Sequence, residues 1–356
     1  MVIMSFVLLQ IVPQCVLAQE HQGRGLIKED LASLRYSFPV SEDWSSEKLA
    51  SAMLYAQEIG SSAVIVMHDG KLVLEWGKTN LRMWSHSVRK SLLSALYGIA
   101  VEKGLIDLSS TIADLGIDDR PPRLSEQEKQ ATILDLLQSR SGIYHEAAAE
   151  SEYMKRGRPS RDAFRPGEHW YYNNWDFNAL GTIFELKTDI PIGQAFKDWI
   201  ADPIGMQDFR PEDVHYKWET VSLYPAVPFW ISARDLARFG QLYLQLGKWR
   251  DTQVIPEDWI HASIFPYSKA FEGIGYGLMW WTHASGAYYA HGYMGQFVVV
   301  MPDLKIVIVS RVFTGTPSMR RLSAEIKEEL KPFVRPVGRQ QMTRLVELIV
   351  GAMPEF

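Results

Sequence analysis

The chain carries strand-like sequence near both ends and helix-like sequence between them, which narrows its fold more than any other feature. Near the start, SSAVIVMHDGKLVLEWGK reads as two strands around Asp69-Gly70, a residue pair suited to a tight hairpin turn. Near the end, GIGYGLMWWTH, AYYAHGYMGQFVVVMP and LKIVIVSRVF form three strand-like runs, with Pro302-Asp303 turning between the last two. From Ser87 to about Phe265 the apolar residues recur mainly at helical spacing, as in TILDLLQSRSG and SARDLARFGQLYLQLG. A helix is expected around Lys48 to Ile59, and the chain turns helical again from Ser318 onward. The economical solution is an α+β fold: one antiparallel sheet built from N- and C-terminal strands, flanked by helices, with an all-helical lobe inserted. The sheet lobe is expected at about 28–86 plus 266–335, the helical lobe at about 87–265 and a C-terminal helical tail at 336–356. No repeat or linker divides residues 19–356, which read as one catalytic domain whose inter-lobe crevice is the default place for a site.

The opening segment MVIMSFVLLQIVPQCVLAQE is apolar and then turns polar, so residues 1–18 read as a secretory signal cut before Gln19. No Lys or Arg precedes its apolar run, an atypical start, and Gln10, Pro13 and Gln14 leave it short of a membrane span. A secreted or periplasmic location is expected. The one cysteine, Cys15, lies in this segment, which excludes a disulfide framework and a cysteine-based metal site. The net charge of -5 argues against a nucleic-acid partner.

WSHSVRKSLLSALYGIAVEKG, residues 84 to 104, places a serine and a lysine three residues apart at the start of an apolar helix. Ser-x-x-Lys arises by chance about once in a chain of this length, and a second copy, Ser45 to Lys48, sits in a polar helix start that reads as a solvated N-terminus. The Ser87 copy differs in its surroundings. Val88, Leu92, Leu96, Ile99 and Ala100 bury the helix, and Lys90 has little water to turn to. At i and i+3 the two side chains share a face, and desolvation lowers a lysine pKa until it can take a serine proton. The structural alternative is a lysine satisfied by a partner in the core.

Two further stretches carry candidate chemistry. FRPGEHWYYNNWDFNALG turns at Pro166-Gly167 and then presents Tyr172-Asn173-Asn174 before a helix. A phenol near a lysine can move a proton, and an amide beside it can hold a carbonyl. In Ala290-His291-Gly292-Tyr293, a glycine within a strand marks close approach by another backbone or a ligand. An edge strand there could offer the Tyr293 N–H to a developing oxyanion.

Taken in order, Ser87-Val-Arg-Lys90, Tyr172-Asn173-Asn174 and His291-Gly292 resemble the serine β-lactamase and penicillin-binding-protein superfamily. Within it they are most similar to the class C-like branch of esterases, D-aminopeptidases and 6-aminohexanoate-dimer hydrolases. GIAVEKGLIDLSSTIADL, ISARDLARFGQLYL and GYGLMWW extend the likeness over roughly residues 50 to 315. The resemblance implies that Ser87 is the acylated nucleophile, Lys90 its activating partner and Tyr172 the proton shuttle, with Tyr171 the alternative to Tyr172. It implies that Asn174 orients the substrate and that the N–H groups of Ser87 and Tyr293 form the oxyanion hole. No metal or organic cofactor is expected.

One position departs from the family pattern. Drug-hydrolysing members carry Lys-Thr-Gly or Lys-Ser-Gly on the third strand, where this chain reads Ala290-His291-Gly292. The cation that receives a substrate carboxylate is missing from that strand, although His291 could partly substitute. The resemblance therefore implies a serine hydrolase of small esters, amides or peptide-like substrates. The alternatives are an acyl-ligand binding or sensor module, and a genuine β-lactamase or D-alanyl peptidase. His145-Glu146 lacks the second histidine of a zinc-protease helix and reads as a solvated helix. The tail from Met342 to Met353 is amphipathic and is expected to pack on the protein.

Overall fold

The computed structural model describes residues 36–37, 43–317 and 335–354. The segment read as a secretory signal, with Cys15, lies outside the described residues, as does the stretch from Ser318 to 334. Helix α1 spans Ser46–Ile59; its Ser45 N-cap accepts from the Lys48 N–H, and Gly60 ends it at φ 96°. Lys48 is exposed, so this second Ser-x-x-Lys is the solvated helix start that the sequence implies. Strands β1 (Tyr36–Ser37), β2 (Ala63–His68) and β3 (Lys71–Gly77) lie side by side with β3 in the middle, and β2 and β3 are joined by the expected Asp69-Gly70 hairpin. Both turn residues have positive φ, 48° and 76°, as a two-residue hairpin of matching twist requires.

The short strand β4 (Met83–Trp84) leads into α2 (Val88–Glu102). The middle of the chain contributes α3 (Ile133–Leu137), α4 (Glu152–Gly157), α5 (Asn174–Thr188) and α6 (Ile192–Phe196). After these come β5 (Trp230–Ile231), which pairs with β4, then α7 (Ala233–Leu244), the small hairpin of β6 (Lys248–Trp249) and β7 (Thr252–Gln253), and α8 (Glu257–Ile264). The last strands are β8 (Ser268–Phe271), β9 (Ile274–Tyr276), β10 (Trp281–His283), β11 (Tyr288–Gly292), β12 (Gln296–Met301) and β13 (Ile306–Arg311), and α9 (Arg339–Val350) closes the described chain. One nine-stranded antiparallel sheet results, in the order β1-β3-β2-β13-β12-β11-β10-β9-β8. The fold is α+β, with N- and C-terminal strands meeting where β2 pairs with β13.

Alternation along the strands divides two cores. Val298, Val300, Val307 and Val309 face α2 and α7, whereas Phe297, Val299, Ile306 and Ile308 face α1 and α9. Helix α9 seats Met342, Leu345 and Ile349 in the second core, so the amphipathic tail packs on the protein. Helix α7 lies so close to the sheet that a Cβ on Gly240 would stand 2.5 Å from Val307. This helix falls within the range expected for the helical lobe, yet it backs the sheet.

Four expectations are corrected. GIGYGLMWWTH and AYYAHGYMGQFVVVMP each fold into two strands, turning at Met279 and at Met294-Gly295, all at positive φ. Apolar residues fill both turns, so the pattern of hydrophobicity does not mark them. As a result β11 is an edge strand only at its His291-Gly292 end: β12 pairs along its whole length, whereas β10 pairs with Tyr288 and Tyr289 alone. TILDLLQSRSG makes a helix of five residues, because Ser139 turns left-handed at φ 58° directly after it. His145-Glu146 lies in irregular chain, with the His145 ring 3.4 Å from the buried Glu128 carboxylate.

Candidate active site

The turn that carries Ser87 is fixed from both sides. The Ser85 N–H donates to Phe229 O at 2.9 Å, and His86 adopts φ 48° to swing the chain into α2. Beneath it lies Arg311, the buried last residue of β13. Its guanidinium donates to Ile231 O (2.7 Å) and Met83 O (3.0 Å), and also to the Gln296 side chain. With Trp84 O at 3.3 Å, four neutral acceptors tie β13, β4 and β5 together where the Ser87 turn begins.

Ser87 occupies the N-cap position of α2, but its side chain makes no capping bond. It faces Lys90 instead, whose Nζ lies 2.8 Å from Ser87 Oγ and 2.8 Å from Tyr172 Oη. The same Nζ sits 4.4 Å from the Tyr172 ring centroid and 4.6 Å from that of Phe177. Lys90 is 3% exposed, and among the described residues no carboxylate pairs with it. Burial, reinforced by the neighbouring Arg89 charge, pushes its amine well below the ordinary lysine range. The lowered amine holds its proton less tightly than an ordinary lysine, and its Nζ faces the serine hydroxyl.

Tyr172 reaches Lys90 because its backbone is pinned. Gly167 turns at φ 81°, Tyr171 N–H donates to Ser139 O at 3.1 Å, and the Ser139 hydroxyl donates to Tyr171 O at 2.6 Å. Asn173 caps α5 and donates to Ile143 O (2.6 Å) and Asp176 Oδ1 (2.9 Å). Burial raises the Asp176 carboxyl well above the usual range while Ser141 donates to it at 2.6 Å. The Tyr172 ring stacks on Trp281, with centroids 5.4 Å apart, and meets Tyr276 edge-on at 5.9 Å. Burial pushes its phenol up to about 12, opposed by a hydrogen bond with Ser87 and by the Arg89 and Arg339 charges. Tyr171 points the other way, and its hydroxyl donates to Met154 O at 2.7 Å. Geometry therefore brings Tyr172, not Tyr171, to Lys90.

Asn174 is 3% exposed, and its Nδ2 donates to Ala149 O at 2.7 Å. The donors expected to face a substrate hold the 148–149 loop instead, and the side-chain Oδ1 is buried without a partner among the described residues. On β11, a Cβ at Gly292 would stand 2.4 Å from Ser85 O and 3.1 Å from Ser87 N, so only glycine lets the strand end approach Ser87. Tyr293 follows at the hairpin turn, 65% exposed, with its ring edge-on to His86 at 5.6 Å. His291 stacks flat on Phe297 at 4.3 Å, and burial, with the Arg339 and Lys90 charges, lowers it to about 4. It is neutral near pH 7 and cannot replace a strand lysine by charge.

Three residues not singled out in the sequence belong to this site. His86 stacks on Trp84 at 5.4 Å, and burial, chiefly, lowers it to about 3. Arg89 is buried between α2 and α5. Arg339, at the start of α9, lies over the rings of Phe271 (4.6 Å) and Trp281 (4.9 Å), and so beside the ring that stacks on Tyr172. Arg89 stands inside the quoted helix and its burial was readable there; the placement of Arg339 was not. Among the described residues no cluster of His, Cys, Asp and Glu is arranged to hold a metal ion.

Comparison with known proteins fits this geometry. Residues 46–329 match the model of the Beta-lactamase family. An uncharacterised protein of Alkalihalophilus pseudofirmus is 22% identical over 320 residues, 76% of this chain and 89% of the relative. A protein assigned as a 6-aminohexanoate-dimer hydrolase from Bacillus anthracis superposes with a TM-score of 0.61 at 18% identity, covering 97% of this chain and 96% of that one. A penicillin-binding protein homologue from Caulobacter crescentus gives 0.62 at 12% identity, over 90% of this chain and all (100%) of the other. A family VIII carboxylesterase gives 0.59 at 12% identity, with 90% and 100% covered. At these identities the structural likenesses establish the fold.

Proposed function

This chain belongs to the Beta-lactamase family, and from that premise we propose that it is a serine hydrolase cleaving an ester or amide through an acyl-enzyme on Ser87. The observation that carries the reading is the contact of Ser87, Lys90 and Tyr172, with Lys90 buried and lacking a carboxylate. Neutral Lys90 takes the Ser87 proton as Oγ bonds to the substrate carbonyl carbon. The oxyanion that forms is held by the N–H groups of Ser87 and Tyr293. As the carbonyl re-forms, the bond to the leaving group breaks, and that group departs with a proton from the protonated Tyr172–Lys90 pair. Water then attacks the acyl carbonyl carbon, giving a proton to the same pair; as the carbonyl re-forms, the bond to Ser87 Oγ breaks, Oγ takes that proton and the acid is released.

An ester or amide without a carboxylate is the favoured substrate, because the strand cation is absent and His291 is neutral. One observation favours a second reading, in which a carboxylate-bearing substrate such as a β-lactam is accepted: the Arg339 guanidinium lies over Trp281 beside Tyr172. Turnover of p-nitrophenyl butyrate and a chromogenic cephalosporin by wild type and Ser87→Ala tests both. Ester turnover lost in the variant, together with an acyl adduct on Ser87 by mass spectrometry, is expected. Turnover retained by Ser87→Ala overturns the mechanism, and an adduct that persists for hours without turnover identifies a binding module. Export is a further part of the proposal, tested by the N-terminal sequence of protein recovered outside the cytoplasm.

A further inference from the structure

We propose that Arg89 is a positioning residue for this reaction: its guanidinium, sealed beside Lys90 with no carboxylate among the described residues to neutralise it, keeps Lys90 in the uncharged form that can take the Ser87 proton. The inference rests on the serine-hydrolase reading and deepens it.

Arg89 stands between Ser87 and Lys90 on α2 and is 5% exposed. Its Nη2 donates to Asn178 Oδ1 on α5 at 2.7 Å, while Nη1 is buried without a partner among the described residues. Four other arginines each pair with a carboxylate: Arg82 with Asp213, Arg158 with Glu150, Arg161 with Glu128 and Arg234 with Asp208. Arg311 is buried without a carboxylate too, but it donates to four oxygens where Arg89 donates to one. A buried, half-satisfied cation destabilises a fold, and an apolar side chain would fill the same interface at less cost. Retaining the charge calls for a compensating use.

That use is electrostatic. A cation held in a low-dielectric interface disfavours a second cation beside it. Lys90 touches Ser87 at the start of α2 and Tyr172 and Phe177 at the start of α5, and its charge interacts with those of Arg89, His86 and, on β11, His291; Arg339 on α9 acts on Tyr172 and His291, and Tyr276 on β9 is flanked by Arg89, Tyr172 and Asp176. Among these, Arg89 is the charge that adds to burial in lowering Lys90, and it also opposes the burial that raises the Tyr172 phenol. One guanidinium therefore lowers the proton affinity of both groups that handle the Ser87 proton.

The test is the pH profile of kcat/KM for p-nitrophenyl butyrate in wild type, Arg89→Gln, Arg89→Lys and Asn178→Leu, with thermal melts and Ser87→Ala alongside. Arg89→Gln keeps a donor for Asn178 and removes the charge. Its acid limb should move up by about one pH unit, a loss of about tenfold below the limb, with a plateau at higher pH close to wild type. Arg89→Lys should restore the limb. Asn178→Leu, which removes the hydrogen bond but keeps the charge, should leave it in place. A uniform loss in Arg89→Gln with an unmoved profile, or a limb shifted by Asn178→Leu, overturns the inference; the second holds even if the Arg89 variants fail to fold. Turnover retained by Ser87→Ala would instead remove the serine-hydrolase reading itself.

Discussion

Lys90 Nζ lies 2.8 Å from the Tyr172 hydroxyl oxygen although the two residues are 82 positions apart in the chain. One stands in the first turn of α2 and the other just before α5, so the packing of these two helices sets the distance between a base and a phenol. The same amine meets Ser87 at 2.8 Å, which makes Lys90 the centre of the site.

Removing that centre should separate activity from stability. Lys90→Met fits the same buried space and removes a group that folding must neutralise, so turnover should fall by about 10³-fold or more. Stability should rise near neutral pH. The Lys90 amine has a folded pKa well below its unfolded value of 10.5, so unfolding takes up a proton throughout that interval and wild type gains stability as pH rises through it. The advantage of the variant over wild type should therefore shrink toward pH 10.5. Urea melts at several pH values check the sign.

Acidification should act in the same direction through a second group. His291 is lowered from 6.5 to about 4, so the unfolded chain binds its proton between those values while the folded chain does not. Stability should fall as pH drops through that interval, by about 1–2 kcal/mol between neutrality and pH 5 for this group alone. His291→Gln should flatten that part of the urea-midpoint profile, and an unchanged slope would contradict the placement of the ring on Phe297.

Gly292→Ala should be severe for its size. A methyl group 2.4 Å from Ser85 O forces either β11 or the nucleophile turn to move, and both carry proposed oxyanion donors. The expected result is about 100-fold lower turnover, with about 1–3 kcal/mol lost and acylation of Ser87 slowed more than substrate binding is weakened. Single-turnover kinetics with p-nitrophenyl butyrate separate these effects.

Arg339→Gln should report on substrate charge. If the guanidinium over Trp281 receives a carboxylate, kcat/KM for mono-p-nitrophenyl glutarate should drop about tenfold or more while p-nitrophenyl butyrate changes little. Equal effects on both esters would assign Arg339 to packing on Phe271 and Trp281.

The sequence by itself determined the class of fold and the buried helix start that carries the proposed nucleophile. Apolar spacing through Val88, Leu92 and Leu96 buries the helix that begins after Ser87, and the polar surroundings of Ser45 mark the other Ser-x-x-Lys as a capped, solvated start. These are local signals, carried by residues within a few turns of one another, and periodicity reads them directly. Tertiary structure alone decided the rest. Tyr171 and Tyr172 are equivalent in a linear reading, but adjacent extended residues point to opposite sides, and only the packing of α5 on α2 selects which phenol meets Lys90. The turn at Met294-Gly295 escaped because its apolar residues continue the strand pattern, and the start of β11 became interior once β10 and β12 folded beside it. The amide of Asn174 turned to the 148–149 loop, and Arg339 arrived over Trp281 from a helix far along the chain. Each of these depends on a contact between distant segments, which no local pattern encodes and which burial and hydrogen bonding settle only when the chain is folded.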